Sequence, residues 1–329
     1  MINKIKKTLA IGSTGSSTGF GAVDALLNNS ELSFSKVFAC DINPAYLIAA
    51  SHIADGYIQL PQPQIEDHCE AIAEMLLFNK VDVFYPIHDK EIKIVAANKH
   101  IFDQYNIIAC CSDEEAVMLS SDKLLLASQL KETRITYPET TELSDCYKVS
   151  APVIIKPKSG VGSKDTFKIF TQAQFDRIIL ELNDQWAHFI IQKWYDEPEV
   201  TVDCFVDPEL NFVRTLCRQR LETKAGVVTK ARVYTDESCD ATALALADHL
   251  GLRGAFCYQF RTDHLTGSRP IIDINPRIGG GTAMSVKLGM NFPAAHINYF
   301  LGYRSEKLFL RPKHECYVTR SFSEHVFYI

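Results

Sequence analysis

The sequence predicts an α/β fold for the N-terminal third of the chain and an α+β fold with antiparallel sheets for the rest. Three observations support this prediction. Short apolar strands alternate with helical patterns over residues 8–110, strand patterns follow one another in hairpin-like pairs from residue 152, and 47% of the 329 residues are hydrophobic. Alternating strands and helices are typical of an open parallel sheet, whereas paired strands favour antiparallel sheets, and this composition allows large cores.

The first part of the chain is a βαβ alternation. Helical periodicity predicts helices at residues 19–28, 65–78 and 90–102, followed by two more at 113–119 and 122–132. A parallel sheet with helices on both faces follows from this order. The apolar, β-rich runs that predict its strands are residues 8–11, 36–41, 81–86 and 107–110.

The second part of the chain is dominated by strands. A helix is predicted at residues 239–250, and two more helices follow Gly281. The strand patterns before and between these helices are close enough in sequence to pair as antiparallel neighbours. They are residues 153–156, 166–170, 188–195, 201–206, 212–221, 227–233, 255–262 and 269–274.

Composition and charge exclude several classes of function. The formal net charge is -6 and the basic residues are scattered, so we expect no nucleic-acid partner. No stretch reaches the roughly 18 apolar residues of a membrane span. Residues 1–8 are basic, but the apolar run after them stops at Gly12, which is too short for a signal peptide. Ten cysteines without a Cys-x-x-Cys pair favour a reducing, cytoplasmic setting.

A glycine-rich segment lies between the first predicted strand and the first predicted helix. It reads Gly-Ser-Thr-Gly-Ser-Ser-Thr-Gly-Phe-Gly from Gly12 to Gly21, and Asp41 ends the next strand. Glycines at such a turn let the backbone approach a pyrophosphate, and the acid binds ribose, so the segment resembles a dinucleotide-binding turn. Its spacing departs from the strict G-x-G-x-x-G pattern. The alternative is that these glycines only form a tight turn between strand and helix.

A second phosphate-loop pattern begins at Ala151 and reads Ala-Pro-Val-Ile-Ile-Lys-Pro-Lys-Ser-Gly-Val-Gly-Ser. A lysine at the end of a buried strand supplies a fixed cation, and a flexible Ser/Gly hairpin supplies backbone N–H groups that can close over phosphate oxygens. The alternative is an ordinary β-turn with a solvated lysine. The candidate phosphate-binding residues are Lys156, Lys158, Ser159, Gly160, Gly162 and Ser163.

A third pattern, Pro-Ile-Ile-Asp-Ile-Asn-Pro-Arg-Ile-Gly-Gly-Gly, occupies residues 270–281. In a strand, Asp273 and Asn275 point to the same side, which places two oxygen ligands together for a hard cation such as Mg²⁺. Gln259 in the preceding strand adds a third oxygen if the two strands pair. Arg277 can clamp a phosphate with its planar fork. The alternative is that Asp273 only caps the following turn.

With Lys156, the glycine-rich loop and the Asp-x-Asn-Pro-Arg strand in this order, the chain resembles the ATP-grasp superfamily. Within it, the chain is most similar to one ATP-grasp unit of the carbamoyl phosphate synthase large subunit, over residues 12–302. The resemblance implies a Rossmann-like pre-ATP-grasp domain, a lid, and an antiparallel ATP-binding domain that holds ATP between two sheets. We expect these three units at residues 1–112, 113–190 and 191–329.

The resemblance also implies roles for individual residues. Lys123, in Ser-Ser-Asp-Lys, looks like the first nucleotide lysine and Lys156 like the second, while Arg277 matches the arginine that meets the transferred phosphate. These three are the expected catalytic residues. The expected Mg²⁺ ligands are Gln259, Asp273 and Asn275, where the family unit has Gln, Glu and Asn.

Base and ribose recognition are implied by the segment after the phosphate loop. A strand there looks like the hinge that reads adenine through its backbone, and an acid that follows it looks like the ribose ligand. The residues concerned are Gln192, Lys193, Trp194 and Tyr195 for the hinge and Glu199 for ribose.

The substrate side of the site is expected at the first glycine-rich segment. In the resembled family this segment helps to form a carboxylate pocket instead of an NAD site, and the loop with Asp89 and Glu91 borders it. Basic residues of the central hairpin are further candidates for the carboxylate or phosphate side, with solvated surface charges as the alternative. The substrate candidates are Gly12, Gly15, Asp89, Glu91, Arg218, Arg220 and Lys230.

The expected function is that of an ATP-dependent carboxylate–amine ligase with ATP and Mg²⁺ as cofactors, forming ADP through an acyl phosphate. Its expected partners are a small-molecule carboxylate and an amine, with a homodimer left open. Asp273 is one methylene shorter than the usual glutamate, and no glutaminase motif is present, so carbamoyl phosphate synthesis itself is not expected. The alternatives are an NAD-dependent oxidoreductase using Gly12, Gly15 and Asp41, and a non-catalytic ATP-binding protein.

Overall fold

The computed structural model describes residues 3–29, 31–63, 67–160, 165–321 and 323–327. The first five strands are β1 Asn3–Ile11, β2 Leu32–Asp41, β3 Gly56–Gln59, β4 Val83–Tyr85 and β5 Ile108–Ala109. They form a parallel sheet in the order β3-β2-β1-β4-β5. Its helices are α1 Ser17–Leu27, α2 His68–Phe78, α3 Asp89–Ala97 and α4 Lys99–Gln104.

Both faces of this sheet are buried. Leu9 and Ile11 of β1 lie in a core that α1 shares, whereas Ala10 between them lies in a core with α2 and α3. Successive strand residues point to opposite faces, so a strand covered on both sides is apolar throughout. The predicted α/β class of this part of the chain is confirmed.

Several local boundaries differ from the prediction, most clearly in two helices, and strand β3 was not predicted. The helix predicted at residues 90–102 is interrupted at Asn98, whose Nδ2 donates to Ile94 O at 2.8 Å. A side chain that bonds to a nearby carbonyl competes with the helical ladder, which accounts for the break. The helix predicted at residues 65–78 begins at His68 in the structure, and residues 65 and 66 lie outside the described part.

A four-stranded antiparallel sheet follows. The chain first forms α5 Glu114–Ser121 and α6 Lys123–Leu130. The strands are β6 Thr140–Glu142, β7 Val153–Pro157, β8 Phe167–Ile169 and β9 Phe189–Lys193, in the order β6-β9-β7-β8. Helix α7, Gln172–Leu182, packs its Phe175 into the core of this sheet. Neither α7 nor β6 was predicted.

The third sheet has six strands. They are β10 Val200–Asp207, β11 Phe212–Lys224, β12 Val227–Tyr234, β13 Gly254–Phe260, β14 Ile271–Asn275 and β15 Cys316–Thr319. They pair antiparallel in the order β14-β13-β10-β11-β12-β15. The helices of this part are α8 Glu237–Leu250, α9 Thr282–Lys287 and α10 Phe292–Phe300.

The six-stranded sheet joins the two halves of the molecule. Val202 and Cys204 of β10 pack in a core with α8, whereas Phe205 lies in the core that the first sheet shares with α1 and α10. The predicted α+β arrangement with antiparallel sheets is confirmed. Strand β15 was not predicted. Among the described helices, none has the length and apolar character needed to cross a bilayer.

Candidate active site

Two lysines cross from the four-stranded side of the molecule to strand β14. Lys156 Nζ, at the end of β7, donates to the backbone oxygen of Ile272 at 2.8 Å. Lys123 Nζ, at the start of α6, lies 3.4 Å from Asp273 Oδ1. Both lysines are more than nine-tenths buried. The phosphate-loop pattern and the Asp-x-Asn pattern, more than 100 residues apart in sequence, therefore meet at one place.

The charge on Lys156 is poorly stabilised without a ligand. Burial and the neighbouring charge of Lys123 lower the pKa of Lys156 to about 7, against the opposing effect of Asp273 and Glu199. Desolvation and a like charge both disfavour an ammonium group. An anion bound beside the two lysines would reverse this balance, which makes the position suited to phosphate.

Side chains with oxygen atoms that could bind a metal lie on the same side of β13 and β14. Gln259 and Asp273 are directly paired across these strands, and Asn275 Nδ2 donates to Asp273 Oδ2 at 3.3 Å. Among the described residues, no group of three or more His, Cys, Asp or Glu side chains could hold a metal ion. One carboxylate and two amides instead fit Mg²⁺ that takes its remaining ligands from phosphate oxygens and water.

The predicted hinge residues lie at the end of β9, beside this cleft. Gln192 is fully buried, and its Nε2 donates to Thr140 Oγ1 at 2.6 Å. Lys193 Nζ pairs with Asp263 at 2.7 Å. The side chains of Gln192 and Lys193 therefore have protein partners.

Glu199 lies close enough to Lys156 to influence its pKa. Its two carboxylate oxygens are held by different arginines: Oε1 accepts from Arg220 Nη1, and Oε2 accepts from Arg261 Nη2 at 3.4 Å. A carboxylate oxygen has more than one acceptor position, so both can still accept from ribose hydroxyls. The two arginines fix the orientation of the carboxylate.

The rest of the second phosphate loop is only partly described. Lys158 Nζ pairs with Glu142 Oε1 of β6 at 3.0 Å, so its charge is directed to the neighbouring strand. Its carbonyl oxygen accepts from Lys123 N at 2.9 Å, which ties the loop to the start of α6. Ser159 and Gly160 are described, whereas Gly162 and Ser163 lie outside the described residues.

We call residues 12–21 the first glycine turn. A Cβ atom at Gly12 would overlap Glu91 Oε1, so the close approach of β1 to the carboxylate requires glycine. Glu91 accepts from Ser13 Oγ at 3.0 Å and from Ile87 N at 2.9 Å. Burial raises the pKa of Glu91 to about 7, and these hydrogen bonds limit the rise. The structure thus brings Gly12 and Glu91 together, as the substrate-pocket prediction requires.

Asp41, at the end of β2, forms hydrogen bonds to the same turn. It is buried, and its Oδ2 accepts from Gly15 N at 2.8 Å while its Oδ1 accepts from the backbone N and the side chain of Asn43. In the structure, the carboxylate that the dinucleotide alternative assigns to ribose holds the first glycine turn.

We call Gly279–Gly281 the second glycine turn. Arg277 precedes it and pairs with Asp89, through Nη2 at 2.7 Å and Nε at 3.1 Å. The predicted substrate residue Asp89 and the predicted catalytic residue Arg277 thus form one contact between the first and third sheets.

Arg218 lies beneath the second glycine turn and is 1% exposed. Its Nε and Nη2 pair with the two oxygens of Asp203 at 2.8 and 2.7 Å. A Cβ atom at Gly281 would overlap Arg218 Nη1. This substrate candidate is therefore buried in an ion pair that supports the turn.

The other two basic candidates of the hairpin β11–β12 lie elsewhere. Arg220 joins Glu199 to the hairpin tip, where its Nη2 donates to Gly226 O at 2.8 Å. Lys230 is exposed and pairs with Glu222 at 2.9 Å. The structure therefore places Arg220 beside Glu199 and Lys230 on the surface.

Asp203 was missed by the sequence reasoning. It accepts from Thr282 Oγ1 at 2.9 Å and from Ser285 Oγ at 2.5 Å in addition to Arg218. Two features of the sequence point to it: an acid inside the apolar run 202–206 of β10, and arginines within the neighbouring β11. A buried carboxylate needs such partners to offset its desolvation.

Residues 120–281 match the model of a family described as an ATP-grasp domain. Over 97% of its length the chain is 23% identical to the carbamoyl phosphate synthase large chain of Clostridium acetobutylicum, and it spans 32% of that protein. It thus covers about a third of the length of this curated relative. The predicted resemblance to the ATP-grasp superfamily is confirmed over residues 120–281.

Solved structures show the same fold. One is N5-carboxyaminoimidazole synthetase from Staphylococcus aureus complexed with ADP, with a TM-score of 0.69 and 17% identity over 92% of this chain and 80% of that one. Another is an L-amino acid ligase from Bacillus licheniformis, with a TM-score of 0.71 and 15% identity over 95% and 79%. The first of these structures holds ADP, a product of the predicted cofactor ATP.

Proposed function

We propose that this chain, which carries an ATP-grasp domain at residues 120–281, is an ADP-forming ligase that joins a carboxylate to an amine. The observation that supports this most directly is the meeting of Lys123 and Lys156 with the oxygen donors of β14. Cations and hard oxygen ligands at one position suit the β and γ phosphates of Mg-ATP. One of the solved structures with the same fold is an L-amino acid ligase, which supports amide-forming chemistry.

The cofactors fit the residues at this position. Gln259, Asp273 and Asn275 would hold Mg²⁺, which when bound neutralises charge on the phosphates. Lys156 and Lys123 would contact the same phosphates, and Glu199 would accept from the ribose. Because phosphoryl transfer needs little covalent work from the protein, positioning and charge stabilisation account for most of the catalysis.

The reaction balances in two steps. A carboxylate oxygen of the substrate attacks the γ phosphorus of ATP, the bond between that phosphorus and the β–γ bridging oxygen breaks, and ADP leaves. The amine nitrogen then attacks the acyl carbon, the bond to the phosphate oxygen breaks, and phosphate leaves as the nitrogen loses a proton. The acyl phosphate must be kept from water between the steps.

The substrates would bind between the two glycine turns. Arg277 lies at this seam, where it can meet the transferred phosphoryl group, and its pairing with Asp89 holds its planar fork in place. Gly12 and Glu91 form the floor on the side of the first sheet. A small-molecule carboxylate and an amine, and a homodimeric assembly, are parts of this proposal.

The proposed units are residues 1–112, 113–190 and 191–329, with the nucleotide between the last two. A cytoplasmic location is also proposed. It is supported by the ten cysteines, all of which are free thiols, since stable disulfides are rare in reducing compartments.

The decisive experiment measures binding and turnover separately. The full chain would be tested for binding of Mg-ATP and of NAD, and then for ADP release in the presence of pools of carboxylates and amines. Tight Mg-ATP binding with carboxylate-dependent ADP release supports the ligase. Binding without turnover supports the non-catalytic alternative, and binding of NAD alone supports the oxidoreductase.

A further inference from the structure

The segment after β15 crosses from the six-stranded sheet to the helices of the first sheet. Arg320 follows β15 directly, and its Nη2 donates to Gly280 O at 2.9 Å. Farther along, the rings of His325 and Phe327 lie 5.4 and 5.6 Å from the ring of His52. The segment therefore holds one guanidinium against the second glycine turn.

Gly280 faces the start of α1. A Cβ atom at Gly280 would lie 3.6 Å from Thr18 Oγ1 and 3.8 Å from Ser17 Oγ, both in the first glycine turn. Because Arg320 is bonded to Gly280 O, its guanidinium lies at the seam between the two glycine turns. This seam is where the substrates are proposed to bind.

The partners of Arg320 differ from those of the two other arginines at this turn. Arg218 is paired with Asp203 and Arg277 with Asp89. Arg320 has no acidic partner in the described part of the chain, and its Nη1, although buried, has no hydrogen-bond partner there. Burial and the charge of Arg218 lower the pKa of Arg320.

Such a position is costly without a ligand. An arginine stays charged in proteins, and a buried charged donor that lacks an acceptor loses solvation without recovering it. The planar fork of a guanidinium matches the two oxygens of a carboxylate or a phosphate. A ligand with such a group would supply both the missing acceptor and the missing counter-charge.

We infer that Arg320 recognises an anionic group, a carboxylate or a phosphate, on the substrate that binds between the two glycine turns. The inference rests on the proposed function for the presence of that substrate. Arg320 is then a specificity-determining residue, because a substrate without a negative charge at this point leaves Nη1 unpaired. Substrates that carry the charge are selected over neutral analogues.

Calorimetry on the full chain with two probes, succinate and inorganic phosphate, tests this inference and separates its two sources. Titrations are made without nucleotide and with saturating Mg-ADP, which fills the nucleotide site. We expect the wild type to bind at least one probe in both conditions. Arg320→Ala should weaken that binding about tenfold or more, the size expected for loss of a charged hydrogen bond, and Arg320→Lys should weaken it less.

Arg232→Ala is the matched control. Arg232 lies on the neighbouring strand β12 and pairs with Glu315 on the surface, so its removal changes the net charge equally and should leave probe binding unchanged. Equal probe affinity in wild type and Arg320→Ala, or binding of neither probe by the wild type, would overturn the inference. Failure of the wild type to bind Mg-ADP would count against the proposed ligase. Probe binding that is equally tight with and without Arg320 would count only against the proposed role of this arginine.

Discussion

Lys156 Nζ donates to the backbone oxygen of Ile272 at 2.8 Å, across the cleft between the four-stranded and the six-stranded sheets. Ile272 precedes Asp273, so the lysine of the phosphate loop rests on the strand that bears the proposed metal ligands. A neutral carbonyl is a weaker acceptor for an ammonium group than a phosphate oxygen. The contact therefore marks a position that the phosphates of ATP can take over.

The proposed metal ligands give the first prediction. Asp273→Asn or Asn275→Ala should lower ATP turnover at least about 100-fold, because the first removes the one negative charge among the proposed metal ligands and the second removes an oxygen ligand of the metal that stabilises the moving phosphoryl group. Both side chains are partly exposed, so the melting temperature should change little. Asp176→Asn, an exposed acid on α7, serves as the control. Turnover within a few-fold of wild type in either variant would contradict the assignment.

The second prediction concerns the two lysines of the phosphate loop. Lys156→Ala should weaken Mg-ATP binding about tenfold or more and slow the chemical step about 100-fold, since a cation aimed at developing charge acts strongly in a water-poor site. Lys158→Ala is the matched control, because Lys158 is paired with Glu142; its effect should be much smaller. Calorimetry measures the affinity for Mg-ATP, and steady-state kinetics measure the turnover rate. Unchanged Mg-ATP affinity and turnover in Lys156→Ala would show that Lys156 does not bind the phosphates.

The third prediction follows from the pKa of Lys156, which is lowered to about 7 in the unliganded chain. Bound phosphates raise this pKa, so Mg-ATP binding should take up a proton wherever the free lysine is neutral. Uptake should be small near about pH 6 and approach one proton near about pH 8.5, and affinity should fall over the same range. Calorimetry in buffers of different ionisation enthalpy measures the uptake.

Lys156→Arg gives the control for this pH dependence. An arginine keeps its proton over the whole range, so the variant should bind Mg-ATP without the uptake seen in wild type. An uptake that persists in Lys156→Arg would assign the proton to another group, and the pKa of Lys156 would then have no part in nucleotide binding.

The fourth prediction compares neighbouring glycines in the second glycine turn. Gly281→Ala should lower the free energy of unfolding by about 1–3 kcal/mol, the range for overpacking, because its Cβ overlaps Arg218, which Asp203 holds in place. At Gly280 an added Cβ has only ordinary contacts, of 3.6 Å or more, so Gly280→Ala should cost less than about 0.5 kcal/mol. Urea unfolding measures both. Equal stability of the two variants would show that Arg218 can move.

Whether a feature of this protein could be predicted from the sequence depends on how far apart in sequence the contacting residues lie. Lys156, Asp273 and Asn275 were predicted as site residues because strand periodicity is local and fixes which side chains share a face. Their meeting across two sheets was implied only by the family resemblance. The contact of Arg320 with Gly280 joins distant elements, for which no local pattern exists. The Asp203–Arg218 pair joins adjacent strands of one hairpin, and it depends on their register and on the burial of both side chains. The break at Asn98 escaped notice because helical periodicity continues through it.

The last prediction concerns the fate of the activated acyl group. If a carboxylate attacks the γ phosphorus, turnover yields ADP and phosphate, and hydroxylamine added with the true carboxylate should trap a hydroxamate. The supporting observation is the position of Lys123 and Lys156 beside the oxygen donors of β13 and β14, which suits the β and γ phosphates. Gly160→Pro should stiffen the phosphate loop where it must bend, admit water, and raise the ratio of ADP formed to product formed. Chromatography of the nucleotides together with a colorimetric hydroxamate assay measures these quantities. Pro63→Gly, a change at an exposed residue remote from the loop in sequence, is the control and should leave the ratio at its wild-type value. AMP as the stoichiometric product would mean an adenylating enzyme and would overturn the proposed reaction.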